Sequence, residues 1–160
     1  MQGDPQVIEI LNEVLTNELT AVNQYFLHAR MQKNWGFTKL GDFTYEESID
    51  EMKHADQLIE RILFLEGHPN VQRLDPVRIG ETVPEQLAAD REVEVHAMEA
   101  LRRGIVVCAE KADTVSRLLL EEILRSEEHH IDYLETQIAL VEQVGLQNYL
   151  ALQVSPGSDE

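Results

Sequence analysis

Apolar residues recur along this chain at alternating steps of four and three, in four long runs. The first run is Leu11, Leu15, Val22, Tyr25 and Ala29, with Glu18 set into the same stripe. A turn of α-helix takes about 3.6 residues, so this spacing returns to one helix face. Asp4-Pro5 supplies a cap followed by a proline at the first helical position, and Gly36 marks the end. The second helix is expected from about Thr38 to Glu66, with the stripe Glu47, Glu51, His54, Leu58, Ile62 and Leu65. Gly67 suits the position after its C-cap, and Pro69 blocks continuation. Thr82-Val83-Pro84-Glu85 reads as a capping box that starts a third helix. That helix carries Leu87, Asp90, Glu94, Met98, Leu101, Ile105 and Cys108 on one face. Asp113 caps a fourth, whose stripe is Leu120, Ile123, Glu127, His130, Leu134, Gln137 and Val141 before Gly145. Residues 146–152 are long enough for a short fifth helix, and 155–160 form a polar tail in which disorder is expected.

One long connection, GHPNVQRLDPVRIGET at 67–82, has two prolines, two glycines and no apolar period. Extended, sixteen residues reach roughly 50 Å. A helix of about 28 residues is roughly 42 Å long. The connection can therefore run the length of a bundle, so that the third helix starts at the end where the second began. The expected fold is all-α, a ferritin-like four-helix bundle with one long crossover and a short C-terminal fifth helix. Residues 1–154 make one domain, large enough at this length for a substantial core.

Charge and cysteine content narrow the function classes. The formal net charge is -17, from 30 acidic and 13 basic residues, which argues against a nucleic-acid partner. Cys108 is the single cysteine, and it lies on an apolar face, so it is read as core. The N-terminus lacks a basic start and an apolar h-region, and no apolar run approaches ~18 residues. A cytoplasmic protein with no membrane span is expected.

The chemistry lies in the polar residues set into the apolar stripes. Glu51 and His54 form one Glu-x-x-His pair, and Glu127 and His130 form another. Glu18 precedes Glu51 by 33 residues and Glu94 precedes Glu127 by 33, so the whole pattern repeats with an offset of 76. Two copies of a helical hairpin would bring four carboxylates and two imidazoles together in the bundle interior. An uncompensated buried carboxylate costs several kcal/mol, so about four need a counter-charge. No Lys or Arg occupies the matching stretch of any stripe. Two divalent cations would neutralise four carboxylates and leave the histidines neutral. Carboxylate and imidazole without thiolate suit iron, manganese or zinc. Asp132, Glu135 and His129 point off the stripe and read as solvated, while His28, His68 and His96 are read as structural or exposed.

Beyond spacing, the chain resembles the bacterioferritin family over residues 1 to about 154. The resemblance rests on the start Met1-Gln2-Gly3-Asp4-Pro5, NQYFLHARM at 23–31, WGFTKL at 35–40, ESIDEMKHAD at 47–56, RILFLEGHPN at 61–70 and EEHHIDYLETQ at 127–137. It implies ferroxidase ligands at Glu18, Glu51, His54, Glu94, Glu127 and His130, with two iron ions per subunit. It also implies hollow shells of 24 subunits with octahedral symmetry. Each two-fold interface would hold a b-type haem gripped by Met52 from each subunit, with Leu19, Asn23, Phe26, Tyr45, Ile49 and Lys53 around it. Met52 follows Glu51 and so projects about 100° away from the bundle interior. Where several relatives place a His beside Asp50 to bind an inner-surface iron, this chain has Glu46. Tyr133 stands where some members have Trp, and Asn34, Glu66 and Asp132 match pore positions of the family.

The expected activity is therefore ferroxidation and iron storage, with dioxygen or peroxide as oxidant. Glu51 and Glu127 would bridge, while Glu18 and Glu94 would be terminal. Tyr25 is either a one-electron donor or a packed core tyrosine. A reductase or ferredoxin is the expected partner for iron release, assisted by the haem. Two rival classes are a di-metal enzyme consuming a small substrate such as peroxide, and a structural bundle with degenerate ligands.

Overall fold

A computed structural model of the chain describes residues 1–154. The expected tail at 155–160 lies outside the described residues. Four long helices, α1 (Pro5–Asn34), α2 (Thr38–Phe64), α3 (Val83–Glu110) and α4 (Thr114–Val144), are followed by the short α5 (Leu146–Leu152). Side-chain contacts give their directions. Gln32 to Gln86 and Glu13 to Arg103 run α1 antiparallel to α3. Lys33 to Asp42 pairs α1 with α2, Arg91 to Glu135 pairs α3 with α4, and Arg61 to Asp113 pairs α2 with α4, each in the same antiparallel sense. The crossover thus seats α3 beside α1, so two antiparallel hairpins face each other.

Local sequence sets the helix ends. The Asp4 carboxylate accepts the Gln6 amide at 2.8 Å, and the Asp113 carboxylate accepts the Ser116 amide at 3.1 Å. Thr82 caps α3, but Glu85 accepts from the Glu81 amide rather than from that of Thr82, so the box reaches back one residue further than expected. At the end of α2 the left-handed residue is Glu66, with φ 62, and not Gly67. The Glu66 and Gly67 amides donate to Leu63 and Ile62, which closes the helix one position earlier than the glycine suggested. Gly67 is needed for a different reason, since a Cβ there would lie 2.7 Å from the Ile8 side chain. Ala112 makes the same turn after α3, with φ 56, and Gly36 makes it after α1, with φ 92.

The crossover is fastened by one face of α1. Asn12 accepts the Asn70 amide, Thr20 that of Asp75, Gln24 that of Arg78 and His28 that of Gly80, all at 2.8 to 3.0 Å. These side chains belong to a series with period four: Asn12, Thr16, Thr20, Gln24, His28 and Gln32. The irregular backbone therefore finds acceptors without a sheet or a helix of its own. His28 is fully buried here, whereas His68 and His96 are exposed.

The apolar interior is in two parts. One cluster joins Leu11, Leu15, Leu58, Ile62, Leu101, Leu120 and Ile123. Fully buried Cys108 belongs to it, its thiol pushed up to about 11 by burial and by Asp113. The other joins Leu40, Val83, Leu87, Leu134 and the α5 residue Tyr149. On α2, α3 and α4 the polar stripe residues fall between the two clusters.

Left-handed backbone costs an L-residue roughly 1–2 kcal/mol. Gly36→Ala, with no Cβ neighbour within 4 Å, is therefore expected to lower stability by about 1 kcal/mol. Ala112→Gly is expected to raise it by roughly half that, after the extra backbone freedom of glycine in the unfolded chain. Calorimetry of the two variants at matched concentration checks both signs.

Candidate metal centre

Six side chains from four helices meet between the two apolar clusters. Glu18 comes from α1, Glu51 and His54 from α2, Glu94 from α3, and Glu127 and His130 from α4. The four glutamates are at most 1 % exposed and His130 is 6 % exposed, while the His54 side chain reaches 13 %. They form two interlocked groups. Ligand atoms of Glu18, Glu51, His54 and Glu127 lie within 4.8 Å of one another, as do those of Glu51, Glu94, Glu127 and His130. Glu51 and Glu127 belong to both groups, and each group has one histidine and one further glutamate of its own.

Polar satisfaction at this centre is incomplete. Both carboxylate oxygens of Glu18, both of Glu127 and one of Glu94 are buried without a hydrogen-bond partner. His54 Nδ1 lies 3.3 Å from Glu51, 3.3 Å from Glu127 and 3.5 Å from Glu18, and one ring N–H cannot serve three carboxylates. Among the described residues no Lys or Arg pairs with any of the six. A donor set of orphaned carboxylate oxygens and Nδ1 atoms, turned toward common points, fits a pair of hard or borderline divalent cations.

Without cations the cluster holds protons instead. Burial, followed by repulsion from Glu127, raises Glu94 to about 8, and burial followed by Glu51 raises Glu127 to about 8. Glu51 is raised as well, by burial and by Glu94. Burial opposes protonation of His54, yet its bonds to Glu127 and Glu51 override this and lift it to about 10. His130 is lifted to about 9 in the same way, chiefly by Glu94.

Two neighbours of this centre stood in the sequence stripes without assigned contacts, Tyr25 as either a one-electron donor or a core tyrosine and Glu47 with no role. Tyr25 is fully buried and donates its hydroxyl to Glu94, which also meets His130 Nδ1 at 3.0 Å. The Tyr25 ring stands edge-on to His130, 5.1 Å between centroids. Burial and the surrounding carboxylates push its phenol well above the usual range, so the tyrosine is a neutral donor. Glu47 was visible in the α2 stripe but not as a site residue. Its carboxylate lies 3.3 Å from His130 Nδ1, and burial raises it. A cleft of about 610 Å³ between α2 and α4 is lined by Glu47, Asp50, Lys53, His54, His129 and His130, so both site histidines border it. Asp50 borders this cleft and Glu46 does not. A larger groove, about 870 Å³ under the crossover, touches none of the six. Tyr133 stacks on Phe43, 3.6 Å between centroids. Asn34, Glu66 and Asp132 are exposed.

Met52 lies apart from the metal groups. It is 47 % exposed on the outside of α2, beside Ile49, with Phe26 exposed on α1 and packed against Tyr45, 5.8 Å between ring centroids.

A group that binds its proton more tightly in the folded state stabilises that state at low pH, and the contribution is lost as pH rises through the folded-state value. Glu94 and Glu127 (4.5 to about 8), His54 (6.5 to about 10) and His130 (6.5 to about 9) all shift this way. The metal-free protein is therefore expected to melt at progressively lower temperature from about pH 6 to 9. Redox-inert Zn(II), which replaces the protons, should flatten or reverse that slope. Equal slopes with and without Zn(II) would show that the six do not hold a cation together.

Comparison with known proteins agrees with the arrangement. The ferritin-like domain family profile matches residues 8–144. A bacterioferritin of Streptomyces coelicolor is 58 % identical over 151 residues, 94 % of this chain and 90 % of that protein. A bacterioferritin of Mycobacterium leprae is 55 % identical over 155 residues, 97 % of this chain and 98 % of the relative. That of Rhodobacter capsulatus is 49 % identical over 156 residues, 98 % of this chain and 97 % of its own. With near-complete coverage in both directions and a four-helix frame built around the duplicated carboxylate–histidine pattern, the chain belongs to the bacterioferritin family.

Proposed function

We propose that this protein stores iron, and that its buried centre oxidises Fe(II) to Fe(III) as a ferroxidase before storage. The observation that carries the reading is the pair of interlocked groups sharing Glu51 and Glu127, with five orphaned carboxylate oxygens between them. In this reading Glu18 and His54 complete one substrate position and Glu94 and His130 the other, while Glu51 and Glu127 span both. Four carboxylates balance two divalent substrate ions. They favour the higher charge of Fe(III), so they lower the reduction potential and drive oxidation. Each Fe(II) gives up one electron. The two electrons and two protons convert dioxygen to hydrogen peroxide, or peroxide to two waters. Protons displaced from Glu94, Glu127, His54 and His130 when cations bind are available at the centre. Tyr25 holds Glu94 in place through its hydroxyl and closes the inner wall. The cleft between α2 and α4, with Glu47 and Asp50 at its edge, is the side from which iron is exchanged. The oxidised iron is kept as mineral inside a closed cytoplasmic shell of 24 such chains, and no described helix is long and apolar enough to cross a membrane.

Haem is the second group that the reading assigns. The Met52 thioether is half exposed on the outside of α2 with Ile49, and its chemistry would fit a ligand to haem iron at a two-fold contact. Met52 from each of two chains would hold the b-type haem, with Leu19, Asn23 and Lys53 nearby. The bound group would carry electrons to stored ferric iron from a reductase or ferredoxin.

Stopped-flow mixing with Fe(II) in air is expected to show a fast phase that saturates at two ions per chain, one for each ligand group. Glu94→Ala should slow it by at least about a hundredfold. A fast phase of wild-type rate in that variant would remove the centre from the reaction. Haem reconstitution should reach about one haem per two chains and fail in Met52→Ala, read by absorbance and by the mass of the assembly.

A further inference from the structure

His28 is fully buried, and the metal centre does not use it. Its two ring nitrogens have fixed and opposite tasks. Nε2 accepts the Gly80 amide at 3.0 Å, so it carries no proton. Nδ1 therefore carries the ring proton and meets Asp90 Oδ1 at 2.8 Å. The same Asp90 oxygen accepts from Gln24, whose own carbonyl holds the Arg78 amide. Gln86 donates to the Gly80 carbonyl and accepts from Gln32, and Gln32 accepts from Thr44. The last turn of the crossover is thus fastened to α1 and α3 through a buried network that includes one histidine.

We propose that His28 is a protonation-controlled latch, releasing the Gly80 end of the crossover when it gains a second ring proton. With both nitrogens protonated, the ring would set an N–H against the Gly80 N–H at 3.0 Å, and the bond is lost. Asp90 keeps the resulting cation in the interior. The groups that face His28 decide whether this happens without unfolding. From α3 they are the Asp90 carboxyl group and the Gln86 amide. From α1 comes the neutral Gln24, which shares the Asp90 oxygen, and the crossover presents the Gly80 amide. Among the described residues Asp90 is the titratable side chain within ion-pair distance. Protonation therefore exchanges one partner for a stronger pairing with the other, and the movement falls on the crossover.

Histidine is the side chain whose ordinary titration lies between about pH 5 and 8. Hydrogen exchange of the full-length assembled protein over that range, corrected for intrinsic exchange, reads the latch directly. Protection of segment 79–82 should fall about fivefold or more as the wild type is acidified, the loss of one hydrogen bond. His28→Gln presents an oxygen to Gly80 and an amide to Asp90 but cannot titrate, so its protection should stay flat. Wild-type protection that does not change, or falls equally in His28→Gln, overturns the proposal. Asp90→Asn provides a second test that does not depend on that variant folding. Without the counter-charge its release should move to lower pH, and an unmoved transition would exclude the proposed exchange of partners.

Discussion

Four carboxylates buried at the middle of an apolar bundle are the constraint on which this fold depends. They interrupt the core, leaving one apolar cluster on each side. Hydrophobic packing at both ends holds the helices together. The centre adds to stability only when its charge is neutralised, because an isolated buried carboxylate costs several kcal/mol. Protons neutralise it in part, at the expense of raised glutamates and charged histidines. Two divalent cations, as proposed, would neutralise it fully and would use oxygens that otherwise have no partner. The bundle is therefore an effective scaffold for cations because it is a poor one for its own carboxylates.

The crossover makes that convergence possible. With short connections throughout, α3 would lie against α2, and the two hairpins would not face each other across the centre. Running the connection along α1 gives both hairpins the same relation to the centre, which is why the pattern repeats with an offset of 76 residues. An irregular segment of this length exposes backbone groups that must be satisfied. The polar series on α1 meets that need. Asn12, Thr20, Gln24 and His28 occupy successive levels of one face, and the loop amides reach them in order. One helix thus presents three faces: to the apolar clusters, to the metal centre and to the loop.

This division explains what was legible in the sequence. The helices were readable because their apolar period is long, and their limits because Asp4, Thr82, Asp113 and Gly145 are strong local signals. The six centre residues were readable because each is a charge inside an apolar stripe and the spacing repeats. The series Asn12 to Gln32 also has a regular period, but its partner is an irregular segment with no matching period, so His28 looked partnerless. Asp90 stood in the α3 stripe without a visible reason, since its partners are a histidine 62 residues away and a glutamine 66 residues away. Glu47 and Tyr25 touch the centre through geometry that spacing does not encode. At the end of α2 the glycine signal pointed to Gly67. Close packing against Ile8 claims that glycine, and Glu66 bears the left-handed turn.

The centre is not equally held on its two sides. Toward α1 and α3, Tyr25 and Glu94 are fully buried, and the fastened crossover lies over the same pair of helices. Toward α2 and α4 the packing is thinner, since these helices meet less closely than any other long neighbouring pair. The cleft lies there, and both site histidines line it. Motion is easiest where buried contacts are fewest. Side-chain rearrangement is therefore easier at His54, His130 and Glu47 than at the more deeply buried Glu18 and Glu94. The iron exchange proposed for this site would need both behaviours. The split core and the one-sided crossover supply them by stiffening one wall and leaving the opposite wall free to move.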